Sequence, residues 1–383
     1  MTFGSKRACY VLALAACLAG PAAAQIKIGV TVSTTGPATS LGLPEKNTVA
    51  LLPRMIAGHT VEYVVLDDAS DPSAAVVNTR RLTMEDKVDA IIGSTTTPNS
   101  LAMTDVVAES GTPTLSLASS ARIIEPQNAK KAWVFKTPQT DTMMVLAILE
   151  HAAKRGMKTM GYIGFNDALG EAFYAEFEKF AEVRKIRIVA SERYAPRDTS
   201  VTAQVIKLAA ANPDMVVIGA SGTPAVLPAR ALVERGYKGS LYFNHGVANN
   251  DFLRVGGKDI EGGFVPTSPV VVAAALPANH PAKAQAMDYV KRYEAAQGVG
   301  TVSAFGAYTW DAGLLLAQAI PVALKSTQPG TREFRAALRD ALEGVRDLHV
   351  SNGVTNMSKL DHLGLDQRAR VIVRVEGGKW KLD

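Results

Sequence analysis

The stretch VEYVVLDDASDPSAAVVNTRRLTMEDKVDAIIGS, residues 61–94, contains a strand, a helix and a second strand in that order. Its first part, 61–68, is β-rich and, Glu62 aside, apolar until it ends in two aspartates. Its last part, 89–94, runs through Ala90, Ile91 and Ile92 and stops at Gly93. Apolar runs of this kind are buried on both sides, as in a parallel sheet covered by helices. Between them Asp71 stands where an N-cap belongs and Pro72 at the first helical position, which predicts a helix through the segment from Ser70 to Leu82.

The same rhythm extends outward from this unit. Strand patterns occur at 26–32, 112–118 and 133–138, with another Pro-marked helix start in TPNSLAMTDVVAES, residues 97–110. A second series follows at 159–165, 186–194, 215–220 and 241–246. Inside it, SVTAQVIKLAAANPD puts Val201, Val205, Leu208 and Ala209 on one helical face and stops before Pro213. Two successive blocks of this kind predict an α/β protein with two doubly wound lobes. No repeat period recurs, which sets solenoids aside. After 262–269 the pattern turns helical at 281–297, 308–325 and 331–345, and RVIVRVEGGKWKL reads as a hairpin around Gly377 and Gly378. The economical arrangement sends the helical block back to the first lobe and the hairpin to the second. This predicts several crossings, hence a hinge.

The first 24 residues read as an export signal. Lys6 and Arg7 precede an apolar run from Ala8 to Ala19, and Ala22 and Ala24 have the spacing of a signal-peptidase site, so cleavage is expected after Ala24. The alternative is a lipoprotein box, LAAC, anchored at Cys17. Both cysteines, Cys9 and Cys17, fall in this segment, so no disulfide or thiolate chemistry is expected in the mature chain. No later apolar stretch reaches membrane-spanning length, and a soluble, exported product is expected. The remaining 359 residues suit two lobes better than one core.

Charge and motifs narrow the function. The leader carries two of the 41 basic residues and none of the 36 acidic ones, leaving 39 against 36, and the basic residues are scattered. Nucleic-acid binding needs them clustered. There is no dinucleotide-binding glycine motif after the first strand, no Walker loop, no G-x-S-x-G elbow and no H-E-x-x-H. The six histidines show no zinc-ligand spacing, and Asp67, Asp68 and Asp71 lack the further oxygen ligands of a calcium loop. The chain is expected to be no enzyme and to need no metal or cofactor.

In open α/β sheets, ligands bind beyond the carboxyl ends of the strands. The tips there are 33–42, 93–100 and 117–122 in the first block and 166–171, 220–225 and 244–250 in the second. They are rich in hydroxyls, Gly and Pro, beside helix N-termini suited to a carboxylate. A serine or threonine at such a place is equally suited to cap its helix. Two hydroxyl-rich tips on neighbouring strands, Thr95–Thr97 and Ala118–Ser120, favour the anion reading.

The segments IKIGVTVSTTGPATSLG (26–42), VVLDDASDPSAAVVNTRRLTMEDKVDAIIGS (64–94), GTPTLSLASSA (111–121), MGYIGFNDALGE (160–171) and FGAYTWDAGLLLAQAI (305–320) resemble the periplasmic Leu/Ile/Val-type solute-binding proteins of ABC transporters. The resemblance implies a type I periplasmic-binding-protein fold, with two Rossmann-like lobes joined by three crossings and a ligand trapped when they close. It implies lobes of 25–138 plus 268–345 and 139–267 plus 346–383. It implies permease and ATPase partners, a periplasmic location and a monomer. The carboxylate cradle falls on Thr97 with Thr95 and Thr96, and on Ala118, Ser119 and Ser120. The wall positions fall on Leu41, Leu169, Ser221 or Gly222, and Trp310.

His245 departs from that pattern. Amino-acid binders of this family usually carry an acid there, pairing with the ligand ammonium, and an imidazole supplies no buried negative charge. It does offer a hydrogen bond to a carboxylate, keto or hydroxyl oxygen. Leu169 and Ser221/Gly222, where tyrosine is common, widen the space. The resemblance therefore favours the branch that binds aromatic carboxylates or aryl keto acids, with branched-chain amino acids as the alternative ligand and a ligand-sensing receptor as the alternative role. His245 as a satisfied strand-end residue is the competing structural reading.

Overall fold

The computed structural model describes residues 25–383. The predicted leader, its cleavage point and Cys17 lie outside the described residues. The first sheet contains β1 (Ile26–Val32), β2 (Met55–Ile56), β3 (His59–Asp67), β4 (Ala90–Gly93), β5 (Thr114–Ser116) and β6 (Val134–Lys136), in the order β2-β3-β1-β4-β5-β6. All its pairs are parallel except β2 with β3. The second contains β7 (Thr159–Phe165), β8 (Arg187–Tyr194), β9 (Met215–Gly219), β10 (Ser240–Phe243) and β11 (Phe264–Thr267). A separate ribbon, β12 (Leu348–Val350) with β13 (Gly353–Thr355), precedes the closing hairpin of β14 (Val371–Glu376) and β15 (Lys379–Leu382). The hairpin extends the second sheet to the order β15-β14-β11-β10-β9-β7-β8.

The helices are α1 (Thr39–Val49), α2 (Pro72–Arg80), α3 (Thr97–Ser110), α4 (Asp141–Lys154), α5 (Ala168–Phe180), α6 (Thr202–Ala211), α7 (Val226–Glu234), α8 (Asn250–Gly256), α9 (Lys283–Gln297), α10 (Ala304–Ala323) and α11 (Arg332–Glu343). Local sequence sets their ends. Asp71 accepts the Ala74 amide at 2.9 Å and Pro72 opens α2, as the quoted stretch predicts. Gly111, at φ 62°, closes α3 in the left-handed conformation that glycine adopts without strain. Gly377 and Gly378, both at positive φ, make the tight turn of the last hairpin.

Burial explains why β1, β4 and β9 read as continuous apolar runs. β3 and β8, which lie towards the sheet edges, are only partly buried, so the expectation that 61–68 is covered on both faces is corrected. Ile28, Val30 and Ile92 are fully buried, and each such side chain stabilises the fold by roughly 1.5–3 kcal/mol. These three share one core with Tyr289, Phe305, Leu315 and Phe334, so α9, α10 and α11 pack on the first sheet. The boundary expected at 345 needs a correction. Met357 joins that core, and Leu363 and Ala369 pack with Ile91 and Val134, so the chain stays on the first sheet until just before β14. Apolar side chains at these positions have the first sheet's flank to bury against, and the hairpin alone has the second.

The chain passes between sheets after β6, after β11 and before β14. A buried polar network joins the three passages. Gln139 donates to the Ala369 carbonyl at 2.5 Å, Ser268 pairs with Asn352, and Asp311 of α10 accepts the Ser351 amide at 2.8 Å. Tyr308 donates to the Gln139 side-chain oxygen at 3.2 Å. In each sheet the strand order reverses beside the first strand, at β1/β4 and at β7/β9, which opens a crevice at the carboxyl ends.

Candidate functional site

The two crevices face one another and enclose a cavity of about 240 Å³. The first sheet contributes Leu41 on α1, Thr95, Thr96, Thr97 and Asn99 around the start of α3, and Ala118 and Ser119 after β5. The second contributes Asp167 and Leu169 after β7, Ser221 after β9, and His245 and Gly246 after β10. Phe305 and Tyr308 of α10 complete the wall.

The two hydroxyl tips differ. At the first, the N-cap position Thr96 makes no side-chain cap, so the first-turn amides of α3 have no side-chain acceptor. Thr97 is buried and its hydroxyl has no partner. Thr95 is committed elsewhere: its hydroxyl accepts the Ser33 amide at 2.9 Å and donates to Glu45. Burial holds the Glu45 carboxyl well above its usual range, against the pull of that hydrogen bond, and the nearby Asp68 adds to the rise. Asp68 accepts hydroxyls from Ser33 and Ser94, both at 2.6 Å, while Asp67 takes the Thr34 and Ala69 amides, both at 2.9 Å. These aspartates pin the loops that shape the first-sheet rim.

At the second tip, Ala118 and Ser119 line the cavity, but Ser120 does not. It is fully buried, accepts the Arg122 amide at 3.3 Å as the cap of a short turn, and lies against the Asp141 carboxylate. Here the capping role wins over the expected ligand contact.

Asn99 is the site residue that the sequence reading passed over. It is fully buried, faces the cavity, and both its amide oxygen and nitrogen lack partners. The sequence signal was weak, since Thr97, Ser100 and Thr104 also put polar groups on the buried side of the same helix.

Trp310 requires a correction. It sits in the first lobe's core with its ring 5.9 Å from Tyr289 and under the Arg292 guanidinium, away from the cavity. Helical phase is the reason. Positions 308 and 310 point about 200° apart, whereas 305 and 308 share a face, so Phe305 and Tyr308 take the wall. Of the Ser221/Gly222 pair, only Ser221 lines the cavity. Gly222 is at φ 63°, and a Cβ there would stand 3.1 Å from the Ser40 hydroxyl of α1, so it lies where the two rims meet. Leu41 and Leu169 line the cavity.

His245 opens a short turn after β10, where Asn244 accepts the Gly246 amide at 2.7 Å. The Gly222 amide donates to the Gly246 carbonyl at 2.9 Å and couples the two second-sheet tips. The imidazole is 1% exposed and neither ring nitrogen has a partner. Burial, with a smaller contribution from the charge of Lys136, pushes it down to about 3. It is therefore a neutral ring that offers one donor and one acceptor to the cavity. The second-sheet rim also carries an acid: Asp167 caps α5 through the Leu169 and Gly170 amides, at 2.9 and 3.1 Å, and burial raises its carboxyl.

Solved structures share this fold. A structure described as an extracellular ligand-binding receptor from Rhodopseudomonas palustris HaA2 is 43% identical, with a TM-score of 0.91, covering 94% of this chain and 100% of that one. A solute-binding protein of an ABC transporter from R. palustris, in complex with benzoate, has the same fold at 21% identity and a TM-score of 0.79, over 94% of this chain and 95% of that one. Leu/Ile/Val-binding protein homolog 7 of Brucella melitensis biotype 1 is 26% identical over 249 residues, an alignment that spans 61% of this chain and 62% of that protein. Family and fold are those of solute-binding proteins and not of enzymes. With the periplasmic binding protein family model matching residues 25–379, nearly the whole described chain, the protein belongs to that family.

Proposed function

We propose that the protein is the extracytoplasmic solute-binding component of an ABC importer, and that its cleft closes on an aromatic carboxylate or aryl keto acid. Membrane permease and ATPase subunits would then receive the ligand. His245 carries this reading. A buried, neutral imidazole whose two nitrogens are unpartnered in the cavity wall is suited to a carboxylate, keto or hydroxyl oxygen, and it provides no countercharge for an ammonium. Thr97, Asn99 and the uncapped start of α3 supply donors for a carboxylate from the other rim. Leu41, Leu169, Phe305 and Tyr308 give apolar walls that suit a flat ring.

A second reading has its own observation. Asp167 is an acid on the cavity wall, and the Leu169 and Gly170 amides both donate to its Oδ1, which leaves Oδ2 for an ammonium and supports an amino-acid ligand such as leucine. Thermal melting of the mature chain with benzoate, phenylpyruvate and leucine separates the two. A ligand at a hundred times its Kd stabilises by about 2.7 kcal/mol, an easily measured shift. Stabilisation by the aromatic acids with none by leucine is the expected result; tight leucine binding would overturn the aromatic reading.

A further inference from the structure

Lys136, the last residue of β6, is fully buried. Its ammonium donates to three backbone carbonyls, those of Ser119 at 2.5 Å, Pro138 at 2.8 Å and Gln139 at 3.0 Å. The lysines that form ion pairs among the described residues are Lys130, Lys207 and Lys381, all exposed, and Lys136 forms none. Asp141 on α4, Glu125 and Asp361 act on it only through space. A buried ammonium held by dipoles alone has not recovered the hydration it lost.

The cavity lies next to this charge. Ser119 and Pro138, two of the residues whose carbonyls hold the ammonium, line it, and His245 across the cavity senses the same charge. No Lys or Arg is among the described residues on the wall itself. A trans peptide sends its N–H opposite to its C=O, so the Ser119 carbonyl turned to Lys136 directs the Ser120 amide away from it. A cation on that carbonyl polarises the peptide and makes the amide a stronger donor.

We propose that Lys136 is a positioning residue that sets the charge of the ligand: held behind the cavity wall by Ser119 and Pro138, its ammonium supplies the positive field that selects a carboxylate over the uncharged analogue. The proposal rests on the carboxylate reading of the cleft. Burial pushes the free protein's Lys136 down to about 7, although Asp141, Glu125 and Asp361 all pull it up. An anion arriving in the cavity raises it again, so binding draws in a proton above neutral pH. Of the other groups that face this region, His245 is pushed down to about 3, and burial raises Asp141 to about 6 against the pull of Lys136. Asp311, which lines a small internal pocket with Lys136, is raised by burial to about 7 as well, so Lys136 and Asp311 both change charge as pH rises through 7. Both changes make the region more negative, so carboxylate affinity is expected to be highest below that point, and the share due to Lys136 is the one that Lys136→Gln removes.

Calorimetry on the mature chain with benzoate, phenylpyruvate and leucine, each beside its own amide, tests this. Lys136→Gln keeps N–H donors for the carbonyls and removes the charge; it should weaken the bound carboxylate at least tenfold and change its amide less than twofold. Equal losses for acid and amide, or none, overturn the proposal while leaving the carboxylate reading intact. A wild type that binds none of the three acids overturns both. The wild type alone gives an independent measure if the variant does not fold. Its carboxylate affinity should fall by about tenfold from pH 6.5 to 8.5, as expected for a group titrating near 7, with the amide unchanged. A flat carboxylate profile over that range overturns the role of Lys136.

Discussion

Thr97 and His245 stand on opposite rims of the cavity, Thr97 shortly after β4 and His245 shortly after β10, each a central parallel strand of its sheet. Around Thr97 the rim offers hydroxyl, amide and uncapped helix N–H groups, all suited to a negative oxygen. Around His245 the rim offers a neutral ring, an acid that already caps a helix, and little else that is polar. The same strand-to-helix architecture thus makes an anion cradle on one side and a selector on the other. What differs is not backbone but which side chains are left without partners after folding.

The largest test replaces the selector. His245→Glu puts a carboxylate opposite the anion cradle, and aromatic-acid affinity should fall by at least about 3 kcal/mol, as for an unpaired charge in a closed cavity. Calorimetry reads this directly, and unchanged affinity would break the comparison by showing that the second rim does not touch the ligand.

Removing one cradle donor should do less. Thr97→Ala and Asn99→Ala should each cost about 1–3 kcal/mol in carboxylate binding. Without ligand, Asn99→Ala should melt no earlier than wild type, because its buried amide has no partner to lose. A drop in melting temperature with intact affinity would place Asn99 in the core instead.

Ser120→Ala should show the reverse pattern, about 1 kcal/mol lost in stability through the missing cap, with affinity unchanged. If affinity falls as it does for Thr97→Ala, the two tips are alike after all.

The pH dependence of stability sharpens the His245 side. Its folded value is lowered from 6.5 to about 3, so between those values the unfolded chain binds a proton that the folded chain does not. Its contribution is favourable above about 6.5 and lost as pH falls. His245→Asn escapes that loss, so the melting-temperature difference should shift in the variant's favour from pH 7.5 to pH 5. The smallest effect is expected from Trp310→Phe, which should leave affinity within about twofold, since the ring packs on Tyr289 and not on the cavity.

Several features were legible in single residues. Asp71 with Pro72 marked α2, Gly377 with Gly378 marked the last turn, and the strand ends marked the rims. Others were not, because their cause lies far along the chain. The Thr95 hydroxyl belongs to Glu45, fifty positions away, and Ser120 is turned towards Asp141. Phe305 and Tyr308 replace Trp310 through the rotational phase of α10, which the motif containing Trp310 does not reveal.

The sequence by itself determined the two α/β blocks, the parallel strands and the chemistry available at their tips, because periodicity, caps and turns are local properties. Only the tertiary structure decided which of those polar groups face the ligand. A hydroxyl or imidazole is free for binding when no buried neighbour claims it, and those neighbours arrive from other strands. Thr97, Asn99 and His245 were left unclaimed, Thr95 and Ser120 were taken, and Lys136 was enclosed behind the wall with no carboxylate in contact.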